Sequence, residues 1–317
     1  MVQNLEKPLQ EVPQYLEGLS FQESTGQLAV ASSNLTGRDW DGAVTIFDDA
    51  KFAPNLPHLD YGYKTEAGAK AIEWINESRL VVGTDAGCLE ILDLKERPNL
   101  ENTLRLIEHG DMCSTVSVNK QTQQLLSGDY DSIIKLWDLE VDMSINTFHL
   151  HSGAVHEVKW NHNSKEMFGS VSEDQHVMLY DNRKDEKPAL CVGKSKIYFP
   201  TCLEWLSSDE MAVGLSNGEV VLYDLRNLSD EMKSIKAHTK YVTSIVENNG
   251  VIFSGSEDCY VKGHDTKSFD SVYTSKKHTD YVKCLCVNAK DNTLWSCGWA
   301  GQIFCHENPK KQAKIES

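Results

Sequence analysis

Short apolar runs of five or six residues alternate along the chain with polar turns, and the runs return at a regular distance. Each run ends in an apolar or aromatic residue followed by Asp. They read VTIFD to Asp48, LEILD to Asp93, IKLWD to Asp138, VMLYD to Asp181, VVLYD to Asp224, VKGHD to Asp265, and a degraded IFCH to His306. The spacings are 45, 45, 43, 43, 41 and 41 residues. Within the third period the pattern predicts strands at Cys113–Val118, Gln124–Ser127 and Ile133–Trp137, joined by the turn residues of NKQT and GDYDS. A fourth strand, Ser144–His149, falls in the connector. No stretch has the 3.6-residue period of an amphipathic helix of ordinary length. Seven periods in the low forties, built from strands and turns, predict an all-β chain folded as a seven-bladed β-propeller.

A propeller must close its ring. The last period ends at Glu307, while about a dozen residues precede the first inner strand. The expected organisation is therefore a segment 1–11 whose Val2–Leu9 supplies the outer strand of the last blade, a propeller over 12–307, and a disordered tail over 308–317. Closure of this kind removes the sheet edges that invite aggregation.

Composition narrows the function. The 317 residues carry 31 Lys+Arg against 47 Asp+Glu, a formal charge of −16. Such a field repels nucleic acid and attracts basic partners, and no aromatic-interleaved basic stripe is present. Nine cysteines, an odd number scattered along a chain that opens MVQNLEKPLQ, do not fit a disulfide framework. With no run near 18 apolar residues, no membrane helix is expected. The expected location is the cytoplasm and nucleus, with reduced thiols.

Candidate chemistry is sparse. GxGxxG, P-loop and HExxH patterns are missing. Cys284-Leu-Cys286 has the wrong spacing for a zinc clip, and Cys297, Cys305 and His306 form an incomplete ligand set. Acidic pairs such as Asp48-Asp49 and Glu257-Asp258 fall in turns, where carboxylates cap backbone amides. The expectation is a protein that is not an enzyme and holds neither metal nor cofactor.

One turn breaks the repeat. SSNLTGRDWDG, Ser32 to Gly42, is about five residues longer than the equivalent SGDYDS at Ser127–Ser132 and carries Arg38, Asp39 and Trp40. Polar neighbours and glycines mark a solvent-facing tip, and Trp and Arg are the residues that most often anchor interfaces. The competing reading folds Trp40 back over the propeller as a lid.

The periods resemble the WD-repeat family from about Gln14 to Glu307. The most specific copy is HGDMCSTVSVNKQTQQLLSGDYDSIIKLWD. The resemblance implies that His109, Ser127, Asp131 and Trp137 form the family's buried structural tetrad. The fourth repeat matches it with His151, Ser170, Asp174 and Tyr180, and the sixth with His238, Ser254, Asp258 and His264. The second, fifth and seventh depart from it. A narrower resemblance, to the methylosome WD-repeat proteins, is carried by ASSNLTGRDWDGAVTIF, by YKTEAGAKAIEWINESRLVVGTDAGCLEILDL and by HGDMCSTVSV. CGWAGQ at 297–302 echoes a Gly-Trp-Asp turn, with Ala300 in place of the Asp. This resemblance implies a non-catalytic propeller whose Trp40 packs against the N-terminal barrel of a type II protein arginine methyltransferase. Arg38, Asp39 and Trp299 would lie in the same contact. It further implies a hetero-oligomer that receives Arg/Gly-rich basic tails such as those of histones and Sm proteins. Tandem Tyr-Asp-x-Arg segments, Tyr180 to Arg183 and Tyr223 to Arg226, leave two alternatives: a substrate receptor of a cullin-type ubiquitin ligase, or a generic WD-repeat scaffold.

Overall fold

The computed structural model of the chain describes residues 9, 12–34, 40–183, 197–226 and 233–306, and the backbone of 190–194. The described residues form 27 strands in seven antiparallel sheets, each with its strands in chain order. The chain is a seven-bladed β-propeller. Among the described residues the helical turns are two short 3-10 segments, Ala50–Phe52 and Leu56–His58. The third blade shows the unit: Cys113–Asn119, Gln124–Asp129, Ile134–Asp138 and Met143–Phe148, each within a residue or two of its sequence expectation.

Middle strands are buried along their whole length. Leu28–Ser33 and Gly42–Phe47 have no accessible position, because each sheet is covered on both faces by its neighbours. The apolar cores accordingly lie between blades. Trp74, Ile72 and Leu80 of the second blade pack with Ala29, Val44 and Ile46 of the first, and similar clusters recur around the ring. A single blade buries too little to stand alone.

Each inner strand has one free edge, and the preceding blade satisfies many of its polar groups. Ser20 Oγ accepts from Trp74 N–H at 3.4 Å, Glu73 from Val118 at 3.0 Å, Ser117 from Trp160 at 3.1 Å, Glu157 from Leu203 at 2.6 Å and Ser244 from Leu285 at 3.1 Å. Buried main-chain amides require such partners.

The same device closes the circle, with Leu19 N–H donating to Cys284 Sγ at 3.4 Å. Phe21 packs against Trp295 across this seam. The last sheet has three strands among the described residues, Val282–Asn288, Thr293–Gly298 and Gln302–His306. The fourth strand expected from Val2–Leu9 lies outside the described residues except for Leu9, which sits beside Gly62 in the outer strand of the first blade. The tail 308–317 also lies outside them.

Candidate interaction face and its supports

Strand direction alternates within a blade, so the turns joining second to third strands all open on one face of the ring. The long first-blade loop is one of these turns. Its neck is fixed: Ser33 pairs with Gly42, Asn34 N–H donates to Asp41 O at 2.8 Å, and Asp41 pairs with Lys64. Only glycine fits at position 42, where a Cβ would stand 2.5 Å from Ser32 O and 2.6 Å from Ala69 N. Next to this neck stands Trp40, 65% exposed. Its indole points to solvent, which removes the lid arrangement. Arg38 and Asp39 lie outside the described residues. Other connections on the same face expose Tyr130, Ile197 and Tyr198, so apolar surface is presented at several points of the rim.

Trp299 opens on this face too, but in a different setting. It is half-buried in the seam, with Tyr15 edge-on at 5.6 Å, Lys283 Nζ 4.8 Å above the ring, and Nε1 donating to Glu17 at 3.2 Å. Glu17 Oε1 also accepts from Ser33 Oγ at 3.0 Å and Lys70 Nζ at 2.8 Å. One buried carboxylate thus ties the seventh, first and second blades together. At the mouth of the axial channel, Glu17, Lys70, Tyr130, His156, Tyr241 and Lys283 line a cavity of about 170 Å³. His156 stacks on Phe199 at 5.4 Å, and burial holds it below its ordinary pKa despite Glu173 at 3.3 Å. The carboxylate at the centre is committed to structure by its three hydrogen bonds.

The buried tetrads lie beneath the face. In the third blade, His109 Nδ1 is 2.7 Å from Asp129 Oδ2 and Nε2 is 2.6 Å from Ser127 Oγ, which accepts from Trp137 Nε1 at 2.8 Å. A neutral ring donating from Nδ1 and accepting at Nε2 satisfies every group. The carboxylate here is Asp129, not the expected Asp131. Ser127 and Asp129 share a face of one strand, whereas Asp131 is exposed in the turn beyond. In the fourth blade His151 meets Asp174 at 2.8 Å and Ser170 at 2.6 Å, with the Tyr180 hydroxyl 3.4 Å from Ser170 Oγ. In the sixth, His238 meets Asp258 at 3.1 Å and Ser254 at 2.8 Å. Burial would raise the Asp174 and Asp258 carboxyls, but their hydrogen bonds to the histidines and to backbone amides outweigh it. Both are lowered, Asp258 to about 2.

The seventh blade improvises. His278 Nε2 and His306 Nε2 both meet Ser296 Oγ, at 2.7 and 2.6 Å, and His306 Nδ1 meets the Tyr273 hydroxyl at 2.9 Å. No hydrogen-bond partner reaches His278 Nδ1 among the described residues, in keeping with Ala300 where other repeats hold Asp. Burial pushes His278 down to about 4 and His306 to about 3.

Two further patterns resolve structurally. Arg183 and Arg226 each grip the Asp two residues before them, Asp181 and Asp224, through Nε and Nη2 at 2.8 Å. Gly214-Leu215-Ser216-Asn217-Gly218 has the spacing of a nucleophile elbow, which the sequence reading overlooked. Here it joins two strands instead of opening a helix, and Ser216 Oγ accepts from Phe199 N–H at 3.2 Å. Among the described residues no three His, Cys, Asp or Glu side chains converge on a metal position.

Residues 100–138, 143–181 and 229–265 match the WD domain, G-beta repeat. Over 90% of its length the chain is 29% identical to the methylosome protein WDR77 of Xenopus laevis, covering 87% of that protein. It is 31% identical over 42% of its length to histone acetyltransferase type B subunit 2 of Candida glabrata, covering 34% of that protein. To the protein of that name from Kluyveromyces lactis it is 28% identical over 72%, covering 58%. The chain is a seven-bladed β-propeller that carries WD repeats and is similar along nearly all its length to a methylosome WD-repeat protein.

Proposed function

We propose that this propeller is a non-catalytic adaptor for a type II protein arginine methyltransferase. The first-blade loop seats the enzyme, and the acidic body holds Arg/Gly-rich tails such as those of histones and Sm proteins near its active site, in the cytoplasm and nucleus. The carrying observation is Trp40: a large indole, 65% exposed, on a loop whose neck is closed by strand pairing and an ion pair. Holding an aromatic side chain in water is unfavourable unless a partner covers it, and a pre-ordered anchor loses little entropy on binding. Arg38 and Asp39 belong to the same contact by their place on the loop, and the accessible edge of Trp299 extends it on the same face. The similarity to a methylosome protein along nearly the whole chain supports this choice of partner.

Co-purification from cells tests it. Trp40→Ala should reduce recovery of the methyltransferase by at least about tenfold, the effect of losing a 2 kcal/mol anchor, with the melting temperature unchanged. Arg183→Ala with Arg226→Ala should leave recovery intact. Retention of the enzyme by the Trp40 variant, or capture of a cullin adaptor that the arginine pair controls, would reject this reading.

A further inference from the structure

At the seam between the seventh and first blades the apolar core carries three cysteines. Two of them, Cys284 on the inner strand Val282–Asn288 and Cys297 on Thr293–Gly298, stand directly opposite each other in the antiparallel register. Cys284 Sγ also contacts the main chain, lying 3.9 Å from Leu19 O and 3.5 Å from Leu285 O. Opposed residues of an antiparallel pair have Cα atoms roughly 4.5 to 5.5 Å apart, inside the range of about 4.4 to 6.8 Å that a disulfide spans. Cys286, by contrast, faces Trp295.

The two thiols are not equivalent. Cys284 is partly accessible, and Cys297 is completely buried. The Cys297 thiol across the strand pair, against burial and with help from the Leu19 N–H, holds the Cys284 thiol below its ordinary pKa. Burial and the neighbouring Cys284 push Cys297 well above it. The remaining buried thiols are driven up by desolvation, Cys88 to about 11 and Cys286 to about 12. The thiol held lower in pKa thus lies on the inner strand, opposite a fully buried partner that can resolve it.

We propose that Cys284 and Cys297 form a reversible dithiol–disulfide site, oxidised by hydroperoxides, that staples the two inner strands of the ring-closing blade. The Cys284 thiolate attacks one oxygen of the hydroperoxide, the O–O bond breaks, and the leaving oxygen departs protonated as an alcohol or water. This gives a sulfenic acid at Cys284. The Cys297 sulfur then attacks Cys284 Sγ, forming the S–S bond and breaking the S–O bond. The departing hydroxyl takes the Cys297 proton and leaves as water. Overall two thiols lose two electrons and one hydroperoxide gains them, and a thiol reductant reverses the change by exchange. Sγ of Cys284 also receives the Leu19 amide, so the modified atom is one that joins the last blade to the first.

The test uses the full-length reduced protein and hydrogen peroxide. After exposure, one alkylating label is added in denaturant, the protein is reduced, and a second, isotopically heavy label marks the thiols released. Peptide mapping should show Cys284 and Cys297 acquiring the heavy label together, in a one-to-one ratio, and a non-reduced digest should contain the linked pair of peptides. Cys88, Cys113 and Cys202 should keep the light label. In the Cys297→Ser variant, Cys284 should instead be trapped as a sulfenic acid by a cyclic 1,3-diketone. Light label on both residues of the wild-type protein, or heavy label on Cys284 paired with a different cysteine, would overturn the assignment, and neither outcome requires the variant to fold.

Discussion

The third-blade histidine satisfies both ring nitrogens only because one strand face offers a hydroxyl and a carboxylate two residues apart. Ser127 and Asp129 are fully buried there. Asp129→Ala leaves a buried ring N–H without an acceptor and should lower stability by about 2 kcal/mol. Asp131→Ala, in the exposed turn, should change it by less than about 0.5 kcal/mol. Chemical-denaturation midpoints of the two variants separate these outcomes, and equal losses would return the tetrad role to Asp131. A second residue-scale effect comes from the channel wall, where burial raises Glu157 from 4.5 to about 7 although Lys159 and the Leu203 amide oppose the rise. Between those values the folded chain keeps a proton that the unfolded chain releases. This group's contribution is therefore full below pH 4.5 and lost as pH climbs through 7. Glu157→Gln cannot lose it, so the variant's melting temperature relative to the parent should rise between pH 5 and pH 8. A constant difference would show that Glu157 titrates as an ordinary carboxyl.

At the scale of elements, the loop that carries Trp40 depends on a glycine as much as on the tryptophan. Gly42→Ala forces a methyl group into Ser32 O and Ala69 N, both of them backbone atoms that cannot swing aside. The variant should lower both the melting temperature and methyltransferase recovery, whereas Trp40→Ala affects recovery alone. Thermal scans beside the same pull-down read the contrast, and a Gly42→Ala protein as stable as its parent would mean that the neck yields. The loop was legible in the sequence because seven near-copies give a length to compare it with, and the strands were legible for the same reason. Counting along repeats fails where geometry shifts between them. The register slips at Gly128/Asp129, and there the expected Asp131 gave way to Asp129. Glu17 was invisible for another reason: its partners Ser33, Lys70 and Trp299 lie 16, 53 and 282 residues away. No local pattern reports such convergence.

Across the whole molecule, the two ends of the described ring meet at one seam: the Leu19 N–H on Cys284, Phe21 on Trp295, and Glu17 beneath Trp299. The propeller exposes Trp40 on one face, and the chain carries −16 overall. In the role proposed above, the two properties divide the labour. An indole buried in a partner gives affinity that salt barely changes, because apolar burial involves no counterions. A diffuse acidic field gives weak capture that salt removes, since exposed charges more than about 8 Å apart are largely screened at 0.15 M. Binding of an Arg/Gly-rich peptide to the isolated propeller should therefore weaken on the order of tenfold or more between 50 and 300 mM salt, while the association with the methyltransferase changes far less. Fluorescence anisotropy across a salt series measures the first and co-sedimentation the second. A peptide affinity indifferent to ionic strength would mean that tails are held in a specific pocket, with the channel-mouth cavity of Glu17, Tyr130 and His156 as the place to look, and net charge would then have no part in holding them.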